Sequence, residues 1–126
     1  MADCDNLKVV NDIYGHEAGN LFLQAIARNF RHCLRGCDSA ARYGGDEFTL
    51  ILPNTSLETA ELVAKRLKET LVESGFKYNG NAISTNISVG IASFPQHGDT
   101  AEALLRHADE AMYADKRKSK NQVTAQ

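Results

Sequence analysis

Acidic side chains stand in two short runs far apart in the chain. One is Asp3-Cys4-Asp5 and the other is Gly44-Gly45-Asp46-Glu47-Phe48. A divalent cation such as Mg²⁺ takes hard oxygen ligands and keeps several waters, so one or two carboxylates plus a substrate phosphate complete its shell. Paired glycines between two β-prone runs predict a tight hairpin, and their missing side chains leave room for a phosphate to approach the backbone. Asp46 and Glu47 would then sit at a rigid tip, aimed at a metal on a bound nucleotide. If the segment ending at Asp3 lies beside that tip, Asp3 and Asp46 share the metal. Taken alone, Gly-Gly-Asp-Glu fits a solvated β-turn better.

The elements that must hold these groups follow from periodicity. Asn6 to Tyr14 reads as a short helix, with Leu7, Val10 and Tyr14 on one side and Gly15 as its stop. Glu17 to Leu34 reads as a longer amphipathic helix with Ala18, Leu21, Phe22, Ala25, Ile26 and Phe30 as its stripe, and Gly36 as its stop. Ala40 to Tyr43 and Glu47 to Leu52 are the hairpin strands, closed by Pro53. Ser56 suits the N-cap of a third helix that turns Ala60, Val63, Ala64, Leu67 and Leu71 inward. Asn79-Gly80 marks a second hairpin, and Asn86 to Phe94 reads as a strand with Ile87, Val89 and Ile91 on one face. Asp99 or Thr100 caps a last helix carrying Ala101, Leu104, Leu105, Ala108 and Met112 inward, and a final short strand is expected around Val123. The last helix ends in Lys116, Arg117, Lys118 and Lys120, which complement its macrodipole. Helices and antiparallel hairpins together predict an α/β (α+β) sandwich. Met1-Ala2-Asp3 reads as the last residues of a strand whose body is missing or truncated.

Composition narrows the partners. The 126 residues suit one domain, and 43% apolar with 24% charged residues is ordinary for a globular protein. A net charge of −2, from 14 basic and 16 acidic residues, argues against nucleic acid as a partner. No run approaches the length of a membrane-spanning helix and the N-terminus lacks a secretion signal, so a cytoplasmic domain without direct membrane contact is expected. Cys4, Cys33 and Cys37 cannot all pair within one chain and read as reduced thiols, although Cys33 and Cys37 would lie one turn apart on a helix. His16 is expected to pack near Gly15 and the hairpin. His32, His97 and His107 share no metal-ligand spacing and read as surface residues.

Four motifs in order carry a resemblance. Asp3 to Asn20 reads D-C-D-N-L-K-V-V-N-D-I-Y-G-H-E-A-G-N, and after it come Arg42-Tyr43-Gly44-Gly45-Asp46-Glu47-Phe48, Ser88-Val89-Gly90-Ile91-Ala92 and Ala108-Asp109-Glu110-Ala111-Met112-Tyr113-Ala114-Asp115-Lys116. Together they resemble the GGDEF domain of bacterial diguanylate cyclases, over nearly the whole chain but without the family's N-terminal D-x-L-T-G-L-x-N-R segment. The resemblance implies a ferredoxin-like sheet, related to polymerase palms and nucleotidyl cyclases. It also implies condensation of two GTP into cyclic di-GMP and two pyrophosphates, with Mg²⁺ or Mn²⁺, across two facing protomers. Asp3, Asp46 and the backbone carbonyl of Cys4 would hold metal, with Glu47 a further acidic group near the metal or the attacking hydroxyl. Asn11 would bind guanine, as would Asn20. Backbone amides from Asn6 through Leu7 to Lys8 would cradle phosphates at a helix start. Gly44 and Gly45 would flank the nucleotide, and Lys116 and Lys120 would reach its terminal phosphates. Arg35 and Asp38 match the R-x-x-D site through which the product inhibits.

Two departures are visible. Asn20 stands where the family pattern has Asp, and an amide cannot accept from both guanine N–H groups as a carboxylate can. Lys120 stands where Arg is common, which keeps charge but loses the fork. These set an alternative beside the cyclase: a catalytically weak module acting as a receptor for GTP or cyclic di-GMP. A sensory or regulatory domain, in a parent chain that can carry a membrane anchor, is the further partner implied.

Overall fold

A computed structural model describes the backbone of residues 1–124 and the side chains of residues 1–118. Ten elements follow in order: β1 (Ala2–Cys4), α1 (Leu7–Tyr14), α2 (His16–Cys33), β2 (Ser39–Gly44), β3 (Glu47–Ile51), α3 (Leu57–Ser74), β4 (Phe76–Tyr78), β5 (Asn81–Ile83), β6 (Ile87–Val89) and α4 (Ala101–Thr124). The main sheet has the order β2-β3-β1-β6, and β4-β5 is a separate hairpin. β1 is antiparallel to both neighbours, with Asp3 opposite Glu47 on one side and Ser88 on the other. The short N-terminal strand is therefore interior, and hydrogen bonds tie it down beyond the ladder. Met1 N donates to Gly90 O at 3.0 Å, and Gly90 N donates to Met1 O at 2.9 Å.

Alternation along the strands divides the sheet into two functions. Ala2, Cys4, Phe48 and Ile87 face a core made with Phe22, Ile26 and Phe30 of α2, Leu7 and Val10 of α1, and Leu67 and Leu71 of α3. Each large apolar side chain withdrawn there contributes about 1.5–3 kcal/mol of transfer free energy. Phe30 and Phe48 meet edge to face at 5.2 Å, which fixes the hairpin strand β3 against α2. Asp3, between Ala2 and Cys4, points to the opposite side. There α4 packs against β6 and buries Ala108 and Met112.

The caps are local chemistry. Ser56 Oγ accepts from Thr59 N at 3.2 Å, and Thr100 Oγ1 accepts from Ala103 N at 3.1 Å. Asn79 and Gly80 both take positive φ, as a tight hairpin turn requires.

Three expected boundaries shift. The strand expected over Asn86 to Phe94 is only Ile87–Val89; Gly90 still exchanges both backbone hydrogen bonds with Met1, and it lies so close under α4 that a Cβ there would run into the backbone of Ala108 and Met112. The strand expected around Val123 is helix, since α4 runs on to Thr124 with no Gly or Pro to break it. Gly36 does not cap α2. That helix ends at Cys33 with Leu34 extended, so Cys33 and Cys37 do not share a helix, and all three cysteines are free thiols.

Candidate active site

The Gly-Gly hairpin forms as a β2–β3 turn with an irregular register between Arg42 and Gly44. Gly45 has φ +38°, a conformation that a side chain resists, and Arg42 Nε donates to its carbonyl at 2.8 Å to brace the tip. The tip is also tied to the sheet centre, because Cys4 N donates to Asp46 O at 3.0 Å. This bond carries Asp46 to the end of β1, where Asp3 stands. The juxtaposition expected from sequence thus arises from strand adjacency alone.

Asp3 is 4% exposed. Its Oδ2 accepts from Lys116 Nζ at 3.2 Å, and its Oδ1 is buried with no hydrogen-bond partner among the described residues. Burial, then the neighbouring Asp46 charge and the hydrogen bond that the protonated acid would donate to Asp46, push the Asp3 carboxyl up to about 6 against the opposing pull of Lys116. The same surroundings hold the Lys116 ammonium above its ordinary range: burial pulls it down, but the hydrogen bond and charge of Asp3, with Asp46 and Asp5, outweigh that. The Cys4 thiol is pushed up to about 12, by burial first and the surrounding carboxylates second, so it stays protonated and only its carbonyl is a candidate ligand. Asp5 is occupied elsewhere, its Oδ1 accepting from the fully buried Ser88 Oγ at 2.6 Å.

An orphaned buried carboxylate oxygen facing a second carboxylate is a setting a divalent cation would satisfy, so the donor set fits Mg²⁺ or Mn²⁺. Among the described residues no group of three or more His, Cys, Asp or Glu side chains closes around one point. Two carboxylates and a carbonyl leave positions for water and phosphate, as Mg²⁺ prefers. Glu47 is opposite Asp3 in the ladder and half-buried, outside such a closed set.

The nucleotide-binding candidates divide. Asn11 lies against α2: a Cβ at Gly19 would collide with its Oδ1, so the close approach of α1 and α2 seats that amide. Asn20 follows Gly19 and is exposed. Asn6 is the N-cap of α1 but makes no capping bond, its Nδ2 donating instead to Ser84 O at 2.9 Å and its Oδ1 buried without a partner among the described residues. No Asn6 side-chain oxygen therefore takes up the amides of the first turn, Leu7 and Lys8 among them. Gly44 and Gly45 are exposed, with open space where a side chain would be. Lys116 reaches the acidic pair, whereas the side chain of Lys120 lies outside the described residues.

Arg35 and Asp38 also meet. Nε and Nη2 of Arg35 contact the Asp38 carboxylate at 3.2 and 2.8 Å, and Nη2 also reaches Pro53 O at 3.1 Å and Thr55 Oγ1 at 2.8 Å. The pair holds the Asp38 carboxyl below its ordinary range, chiefly through the Arg35 side-chain bond. A groove of about 710 Å³ runs along α2 from Asn20 to Arg35 and Asp38, over Ala40, Ala41 and Arg42 of β2.

Two histidine readings change. His16 is exposed at the start of α2 and does not pack. His97 and His107 are half-buried and stacked at 3.9 Å, and His97 Nδ1 accepts from Ser93 N at 2.8 Å. They stand ten positions apart, one in the loop and one on α4, so no spacing rule pairs them. Lys68 and Asp115 were also missed: Nζ and Oδ2 are 2.6 Å apart, joining α3 to α4, and long-range ion pairs leave no periodic trace.

An α+β domain with a carboxylate hairpin tied to the central strand of an antiparallel sheet is the class that fold and site define. Residues 1–122 match the family described as "Diguanylate cyclase, GGDEF domain", and the chain belongs to it. It is 40% identical over 124 residues to Diguanylate cyclase A of Treponema denticola, covering 98% of this chain and 33% of that protein. The GGDEF domain of YfiN (TpbB) from Pseudomonas aeruginosa superposes with a TM-score of 0.86 at 40% identity, covering 93% of this chain and 73% of that one. The GGDEF domain of DgcB from Caulobacter crescentus, solved in complex with cyclic di-GMP, gives 0.84 at 26% identity, covering 93% and 70%. The chain thus spans about a third of the length of the curated relative from Treponema denticola.

Proposed function

We propose that this chain is a diguanylate cyclase domain that condenses two GTP into cyclic di-GMP and two pyrophosphates. One observation carries the reading: the buried Asp3, with an orphaned oxygen, faces Asp46 and is ion-paired to Lys116. Asp3, Asp46 and the Cys4 carbonyl would hold Mg²⁺ or Mn²⁺, which neutralises triphosphate charge and polarises the phosphorus under attack. The chain's own work is alignment. Asn11 and Asn20 bind guanine between α1 and α2. The amides of Asn6, Leu7 and Lys8 at the α1 start receive phosphate oxygens, Gly44 and Gly45 give the nucleotide clearance, and Lys116 and Lys120 take the terminal phosphates. Glu47 supplies a further acidic group beside the attacking 3′-hydroxyl.

Each protomer presents one GTP, so two must face each other, and the exposed hairpin tip is consistent with that need. Cyclic di-GMP binds back at Arg35 and Asp38, taking over the guanidinium and carboxylate that now hold each other. A regulatory domain of the parent protein sets dimerisation. The receptor reading rests on Asn20, whose amide recognises guanine less completely than a carboxylate.

The test is incubation with GTP and Mg²⁺ and chromatography of the products over a dilution series. Cyclic di-GMP and pyrophosphate that disappear in Asp46→Ala, at a rate per protomer that falls on dilution, support the cyclase. Tight cyclic di-GMP binding with no turnover at any concentration supports the receptor instead.

A further inference from the structure

We propose that Asp115, through its ion pair with Lys68, is a positioning residue for Lys116, and so for triphosphate binding. The inference rests on the phosphate-binding reading of Lys116. Asp115 Oδ2 accepts from Lys68 Nζ of α3 at 2.6 Å and from the backbone Val89 N of β6 at 2.8 Å. β6 is an edge strand, and this carboxylate occupies an N–H that no strand pairs. Val89 is also the ladder partner of Ala2, the residue before Asp3. One oxygen therefore joins α3, α4 and the strand beside the metal candidates.

Helical geometry turns that joint into an aiming device. Successive residues project about 100° apart around a helix. With Asp115 held on β6 and α3, its neighbour Lys116 is rotated toward β1, where Nζ meets Asp3 Oδ2 at 3.2 Å. A lysine has a long flexible stem, and holding its ammonium at one point costs rotamer entropy unless its base is fixed. Two devices fix it. Gly90 lets the α4 backbone at Ala108 and Met112 sit directly on the chain leaving β6, and Asp115 clamps the next turn. The Asp115 side chain is only 25% exposed, so the clamp is partly shielded from solvent.

The test is calorimetric binding of Mg²⁺ with 3′-deoxy-GTP, which lacks the attacking hydroxyl, to the full chain. Asp115→Ala and Lys68→Met are each compared in the wild-type and Lys116→Met backgrounds. Lys68→Met leaves the Val89 hydrogen bond in place, and Asp115→Asn keeps an oxygen for it, so both guard against loss of folding. The expected result is about fivefold weaker binding for Asp115→Ala and for Lys68→Met in the wild-type background. In the Lys116→Met background neither should weaken binding further, because they act through that ammonium. Equal weakening in both backgrounds would mean a general structural role and overturns the proposal, as would wild-type affinity in Lys68→Met. If Lys116→Met itself binds like wild type, the phosphate reading of Lys116 fails first, and that result is distinct from the other two.

Discussion

Asp3→Asn should make the metal-free protein more stable at neutral pH while it removes activity. The Asp3 carboxyl is raised from 3.8 to about 6, by burial before all else and then by Asp46. The native state therefore holds its proton more tightly than the unfolded chain does. Below about pH 4 the group is protonated in both states and has no effect. As pH rises to about 6, the native state binds more protons than the unfolded one, and stability falls. A shift of about 2 pH units corresponds to roughly 3 kcal/mol, lost in full above pH 7. Asn is neutral and of the same shape, and its amide can donate to Asp46 as the protonated acid does. Its cost is the broken pair with Lys116, whose 25% exposed side chain can turn to water, so a net gain of about 2 kcal/mol is expected at pH 8. The assay is urea unfolding in a chelator from pH 4 to pH 8. The two proteins should be alike near pH 4 and diverge through pH 6. A difference that does not change with pH, or a wild type that is more stable at pH 8, refutes the reasoning.

Three further outcomes follow from the same geometry. Gly19→Ala drives a Cβ into Asn11 Oδ1, so the KM for GTP should rise about tenfold or more, on the scale of a misplaced buried hydrogen bond, with kcat less affected. Steady-state kinetics showing an unchanged KM would remove Asn11 from guanine recognition. Asn20→Asp should restore a second acceptor and tighten GTP by about 1–3 kcal/mol relative to ITP, which lacks the guanine amino group; equal gains for both nucleotides would contradict that. Arg35→Ala removes the fork that contacts Asp38, Pro53 and Thr55, and inhibition by added cyclic di-GMP should shift to at least tenfold higher concentration. Unaltered inhibition would send the product to the substrate site.

Much of the arrangement was legible because it is local. The Ser56 and Thr100 caps and the Asn79-Gly80 turn each depend on residues within a few positions and formed as expected, while the α2 stripe formed with Leu23 buried and the expected Leu21 exposed. The pairing of Asp3 with Asp46 was legible only conditionally, since it needs β1 beside β3, a long-range fact that motif order suggested. What escaped was decided by tertiary contact. The α4 backbone lies directly on Gly90, just past the end of β6, and the apolar alternation from Ile87 to Ile91 carries no sign of that. The Lys68–Asp115 pair and the His97–His107 stack join residues whose spacing has no period. Cys33 and Cys37 part because α2 stops before the glycine that was expected to stop it.

The central claim is that Asp3 and Asp46 jointly hold a metal against a guanine nucleotide. It is tested most directly by electron paramagnetic resonance of Mn²⁺ titrated into the protein with 3′-deoxy-GTP. The wild-type chain should capture Mn²⁺ in a nucleotide-dependent way, and Asp3→Asn and Asp46→Ala should each abolish the capture while Asp5→Asn, whose carboxylate is engaged by Ser88, largely keeps it. Nucleotide-dependent Mn²⁺ binding that survives in both Asp3→Asn and Asp46→Ala would contradict the account.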